Sequence, residues 1–201
     1  MSSSTEISNM ALSHLAISRE IAALDTERSQ EAQACRRFYE TVRKTVLRDY
    51  PWPFATKFAT LALVEDDPNS EWDFSYRYPS DCLNARRILS GTRNDTKQTL
   101  VPYKLGNDDS GKLIYTDQAD AEIEYTIDVS NNGLFTSDFE LAFSLRLAAY
   151  IAPRLTGGDP FKLGEKAMKL YFLEIANTSA TAANEEQDEE EPESELIRAR
   201  N

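Results

Sequence analysis

Residues 137–155 read Ser-Asp-Phe-Glu-Leu-Ala-Phe-Ser-Leu-Arg-Leu-Ala-Ala-Tyr-Ile-Ala-Pro-Arg-Leu. From Phe139 onward the run is apolar on almost every side of a helix, interrupted mainly by Ser144 and Arg146. A helix with apolar residues all round belongs at the centre of a bundle, where neighbours cover each face. Ser137 and Glu140 have capping-box spacing at its start, and Pro153 with Gly157 and Gly158 ends it. Other helices are expected around this centre. Ile7, Met10, Ala11, His14 and Leu15 recur at helical spacing between Thr5 and Ile17. After Ser29, Ala32, Cys35, Tyr39, Val42 and Val46 repeat at three and four residues, and Pro51 and Pro53 forbid continuation. Arg36, Arg37, Arg43, Lys44 and Arg48 fall largely on the other faces of this second helix. Beyond residue 158, Asp159 and Pro160 suit the N-cap and first position of a fourth helix. In it Met168, Tyr171, Phe172 and Ile175 share a face, with Lys162, Lys166 and Lys169 more exposed.

The middle of the chain has a different period. Trp72, Phe74, Tyr76 and Tyr78 alternate with polar residues up to Pro79, as do Ala121, Ile123, Tyr125, Ile127 and Val129 later. Val101–Leu105 and Lys112–Tyr115 flank a Gly- and Asp-bearing turn, the signature of a hairpin. The expected fold is α+β, mainly helical. It comprises a four-helix bundle-like domain (residues 1–64 and 134–184), an antiparallel β insertion forming a small sheet or barrel (65–133), and an extended acidic C-terminal tail (185–201).

The formal net charge is −12, and half of it lies in the tail, where eight acids between residues 185 and 195 face only Arg198 and Arg200. Duplex binding by phosphate neutralisation needs clustered Lys and Arg, so DNA meeting this chain is expected to slide past it. No run approaches the 18 or so apolar residues of a membrane span, and the N-terminus lacks the basic and apolar regions of a signal peptide. Two cysteines, Cys35 and Cys82, make no disulfide framework, and synthesis in a reducing cytoplasm is expected.

The spacings that carry enzymatic chemistry are missing. His14 is the single histidine, so a histidine-based metal site or triad has no second member. Seven glycines form no G-x-G-x-x-G and no Walker loop, leaving phosphate cradling unsupported. The turn from Asn107 to Gly111 fails the EF-hand register. Asp66 with Asp67 reads as a loop pair and Glu122 with Glu124 as the wet face of a strand, not as glycosidase carboxylates. No cofactor, no metal and no catalytic residue are expected.

One block is specific enough to carry a resemblance. Tyr50-Pro51-Trp52-Pro53-Phe54-Ala55 is followed by Trp72-Asp73-Phe74-Ser75-Tyr76-Arg77-Tyr78-Pro79-Ser80-Asp81-Cys82-Leu83. Together with Leu147-Ala148-Ala149, Leu155-Thr156-Gly157 and Ala199-Arg200, this resembles the tail tubular protein A family, head-to-tail adaptors of short-tailed phages. Pro53 stands where Asn is common in that family. The resemblance implies a non-enzymatic virion protein made in the host bacterial cytoplasm. It would be one copy in a homo-oligomeric ring, commonly of twelve, between the portal protein and a tail nozzle of the tail tubular protein B kind. DNA would pass through the lumen. Pro51, Trp52, Phe54, Trp72, Tyr76, Tyr78, Pro79 and Asp81 then hold a shape, with Trp52 and Phe54 wedged between bundle and sheet and Asp81 bonding nearby backbone N–H groups. Arg36, Arg37, Arg43 and Lys44 are candidates for contacting acids on a neighbouring subunit. Leu196, Ile197, Arg198 and Arg200 are candidates for docking on the portal. The competing readings are a neck-located, muramidase-like enzyme and a cellular helical adaptor with an acidic tail.

Overall fold

The computed structural model describes residues 3–91 and 100–185, with side chains as far as residue 182. In chain order the elements are α1 (Ser4–His14), α2 (Gln30–Asp49), β1 (Thr56–Thr60), β2 (Leu63–Asn69), β3 (Trp72–Arg77) and β4 (Cys82–Leu89). They continue with β5 (Lys104–Asp108), β6 (Gly111–Thr116), β7 (Glu122–Ile127), α3 (Ser137–Leu155) and α4 (Leu163–Glu185). The apolar helix α3 lies at the centre: α1, α2 and α4 each pack on it, burying Phe139, Phe143, Leu147 and Ile151 completely.

The structure corrects the expectation of a mainly helical, four-helix bundle-like domain. Helix α1 has only eleven residues, about three turns, and barely touches α2. The helices cluster on one member and do not close a four-membered bundle. Among the described residues seven strands form two antiparallel sheets, ordered β1-β7-β4 and β2-β3-β6-β5. Strands β1, β2 and β4 have no clean alternation. The β2 sequence Leu-Val-Glu-Asp-Asp-Pro-Asn also carries acids and a proline that depress strand propensity. Pairing with a neighbour makes these segments strands. Thr56 faces Thr126 and Cys82 faces Ile127, so β1 and β4 flank the strongly alternating β7. The sheet region accordingly begins at Thr56, ahead of the expected boundary at residue 65, and Asp66 and Asp67 lie in a strand.

Two cores result. The helical core extends to Trp52, Ala55 and Val129, while Tyr76 and Ile114 of one sheet share a second core with Ile88, Ile123 and Tyr125 of the other. Ile127 packs against both. The expected hairpin is present as β5–β6, with Asp108 paired to Gly111.

Helix ends differ from expectation in detail. The capping box forms on α1, between Ser3 and Glu6, and Ser29 caps α2. On α3 the N-cap is Thr136, so Ser137 already lies inside the first turn and its box with Glu140 does not form. Lys162 takes a left-handed backbone (φ 54°), which delays α4 to Leu163. Asp159 still caps it, accepting from the N–H groups of Leu163 (2.7 Å) and Gly164 (2.9 Å). A Cβ on Gly164 would lie 2.8 Å from that of Ala152, so only glycine allows this approach of α4 to α3.

Candidate functional site

The Tyr50–Ala55 block joins the helices to the first sheet. Leaving α2, Pro51 and Pro53 turn the chain and set Trp52 into the core, where its indole N–H donates to the carbonyl of Val46 (2.9 Å). Trp52 meets Tyr50 (5.0 Å) and Phe139 (5.1 Å) edge-on, and Phe54 meets Phe139 (5.2 Å) and Phe135 (5.7 Å). Edge-to-face aromatic pairs at such distances contribute beyond the area they bury. Trp52 is therefore fully buried and Phe54 half-buried at the foot of α3.

Three arginines lock the elements together. Arg86 on β4 donates to the carbonyls of Leu47 (3.2 Å), Arg48 (3.0 Å) and Tyr50 (2.8 Å), satisfying acceptors that the end of α2 leaves open. Its Nε donates to Thr126 Oγ1 (2.8 Å). Arg43 on α2 is buried and bound to Asp128 (2.6 Å), Glu40 (2.6 Å) and the carbonyl of Val129. Arg146 on α3 contacts Asp49 and Tyr171 (2.9 Å), and Tyr171 donates to Asp49 (2.6 Å), so one cluster ties α2, α3 and α4.

The aromatic block runs along β3. Tyr76 is buried, with its hydroxyl donating to the carbonyl of Gln118 (2.9 Å), and Trp72 is half-buried. Asp81, expected to bond nearby backbone, bonds its own backbone N–H and also joins side chains. It accepts from Lys57 (2.7 Å) and from the Tyr125 hydroxyl (3.0 Å), and Lys57 beside it holds its carboxyl below the usual range. Tyr78 and Pro79 line a cleft of about 590 Å³ between the β1–β2 corner and the β5–β6 hairpin, with Cys82, Arg77 and Lys112. Burial raises the Cys82 thiol and the Tyr78 hydroxyl, and Lys112 lies over the Tyr78 ring (5.2 Å). Arg77 is held by Asp108 through two bonds of 2.8 Å. A thiol that burial pushes away from its anion is a poor nucleophile. Cys35 is buried against α1 and pushed up to about 11. Among the described residues no group of three His, Cys, Asp or Glu side chains can hold a metal ion, and no helix is long and apolar enough to cross a membrane.

The four subunit-contact candidates do not share one environment. Arg43 is buried, against its expected exposure, and Arg36 donates to the carbonyls of Leu24 and Glu27 (2.7 Å) within its own chain. Lys44 is exposed and pairs with Asp128 (3.3 Å), while Arg37 is exposed with no ion pair among the described residues. The portal-docking candidates Leu196, Ile197, Arg198 and Arg200 lie outside the described residues. On α4, Tyr171 and Ala167 are buried, but Phe172, expected beside them, is 61% exposed. Leu170 and Leu173 are exposed as well, as is Phe161 just before the helix.

Sequence reasoning missed Arg86 and the Asp49–Arg146–Tyr171 cluster. Arg146 carried a usable signal: one charge inside an apolar helix demands a buried partner. Arg86 carried none, because its adjacent Arg87, paired with Glu124, looks the same in sequence. No protein-family model matches the chain, and no curated protein matches it either.

Proposed function

We propose that this chain is a structural virion subunit, a head-to-tail adaptor resembling tail tubular protein A. It works as one copy in a ring that joins a portal to a tail nozzle and lets DNA pass. The paired sequence blocks Tyr50–Ala55 and Trp72–Leu83 carry this reading. Their side chains have architectural roles in the fold: Trp52 and Phe54 seat α2 on α3, Tyr76 packs in the core that the two sheets share, and Asp81 links β1 to β7. A family marked by such residues is marked by shape, which suits a part that must fit identical neighbours.

Electron microscopy of the purified protein, alone and mixed with its portal protein, tests the reading. Rings with a central channel, or a collar added to the portal, are expected. Single subunits that leave the portal unchanged would overturn it. A zymogram on peptidoglycan is expected to stay blank, and a clearing band would favour the lytic alternative.

A further inference from the structure

Strand β2 is an edge strand whose only ladder partner among the described residues is β3, and every residue from Leu63 to Asp67 is exposed. Successive strand side chains point to opposite faces, so exposure of all five means that neither face is covered. The segment opens with two large apolar residues, Leu63 (52% exposed) and Val64, and continues with three acids, Glu65, Asp66 and Asp67. Two register shifts and Pro68 break the edge ladder, and Asp67 has a left-handed backbone (φ 49°). Such an edge resists an added strand. It remains open to a helix.

Helix α4 presents the matching chemistry. Lys166, Lys169, Leu170 and Leu173 fall at i, i+3, i+4 and i+7, one stripe along the helix, and all four are exposed. Lys166 makes no ion pair among the described residues, and Lys169 has only the within-helix partner Glu165 (2.7 Å). Along α4 the stripe runs from basic to apolar, whereas along β2 it runs from apolar to acidic. Seven residues of helix span about 10 Å, and the four steps from Leu63 to Asp67 span about 13 Å. Laid antiparallel along this open edge, the α4 leucines reach its apolar end at Leu63 and Val64 while the lysines reach its acidic end.

Within one subunit α4 packs on α3 and β2 on β3. We infer that the α4 stripe of one copy docks on the β2 edge of a second copy, a head-to-tail contact between two different patches. Repetition of such a contact gives a closed ring or an open filament. The inference rests on the ring reading and adds the surfaces that make it.

Charge exchange tests the contact. One variant carries Lys166→Glu and Lys169→Glu, a second carries Glu65→Lys, Asp66→Lys and Asp67→Lys, and unchanged melting temperatures show that each folds. Mass is measured by sedimentation over a range of protein and salt concentrations. The wild type is expected to assemble, more weakly at high salt. Each variant alone should need at least tenfold more protein to assemble, and an equimolar mixture of the two should recover mixed oligomers. Assembly of both variants at wild-type concentrations overturns this contact and leaves the ring standing. A wild type that stays monomeric at every concentration overturns the contact, and the imaging with portal then decides the ring separately.

Discussion

Arg43, 2% exposed, meets Asp128 at 2.6 Å across 85 residues of chain, and so fastens α2 to the strand end that leads into α3. A buried cation bound by two carboxylates and a carbonyl belongs to the fold. Removing it leaves Asp128 with Lys44 as its one ion-pair partner among the described residues and opens a hole beside Val129. Arg43→Ala is expected to destabilise the subunit by about 2–3 kcal/mol, because it leaves the Val129 carbonyl without its donor. Arg37→Ala, on the same helix but exposed, should stay within about 0.5 kcal/mol. Denaturant titration of both variants checks the contrast, and equal losses would show that Arg43 is solvated.

Trp52 carries a second such load. Trp52→Ala removes a fully buried ring from the foot of α3 and is expected to cost about 3–5 kcal/mol. Trp52→Phe keeps an aromatic edge towards Phe139 but leaves the Val46 carbonyl without its indole donor, so it should lose less. A soluble Trp52→Ala protein with the wild-type melting temperature would place this residue on the surface.

His14 makes stability depend on pH. The Ser144 hydroxyl donates to the carbonyl of Leu141 (2.8 Å), so its oxygen accepts from the Nε2–H of His14 (3.1 Å). Half-burial lowers the His14 pKa from 6.5 by desolvating the cation. The unfolded chain thus binds the proton more readily, and the His14 contribution is complete above pH 6.5 and shrinks as pH falls below it. Thermal melts from pH 7.5 to 5 should show a falling midpoint, with a shallower fall in His14→Gln. Identical slopes would remove His14 as the cause.

The tail enters through the adaptor reading. Eight acids with no apolar residue between positions 185 and 195 repel one another, and Leu196, Ile197 and Arg198 follow as an apolar and basic end. A chain truncated after Asn184 is expected to melt near the wild-type temperature yet fail to co-purify with portal. Undiminished co-purification would assign the joint to the folded part.

Legibility in the sequence followed periodicity. Helix α2 was readable because Ala32, Cys35, Tyr39, Val42 and Val46 form one stripe, and all five are buried. Strands β3 and β7 were readable from their alternation. Strands β1, β2 and β4 were not, because their strand character comes from partners distant in sequence, as when Thr56 finds Thr126. That same non-local pairing turned an expected bundle with an insertion into helices plus two sheets. Of the surface, the lysines on α4 were legible. The exposure of Phe172 was not, because the buried face of α4 is narrow and centres on Ala167 and Tyr171.

The central place of α3 has a further consequence, for synthesis on the ribosome. Helices α1 and α2 are made first, yet the surface that covers them lies beyond the 87 residues separating Asp49 from Ser137. At ordinary translation rates that interval lasts on the order of ten seconds. During it the apolar stripes of Ile7, Ala11 and Leu12 and of Ala32, Cys35 and Val42 have no α3 to pack against. The nascent chain therefore leaves these stripes without their native cover until Phe139 to Ile151 emerge.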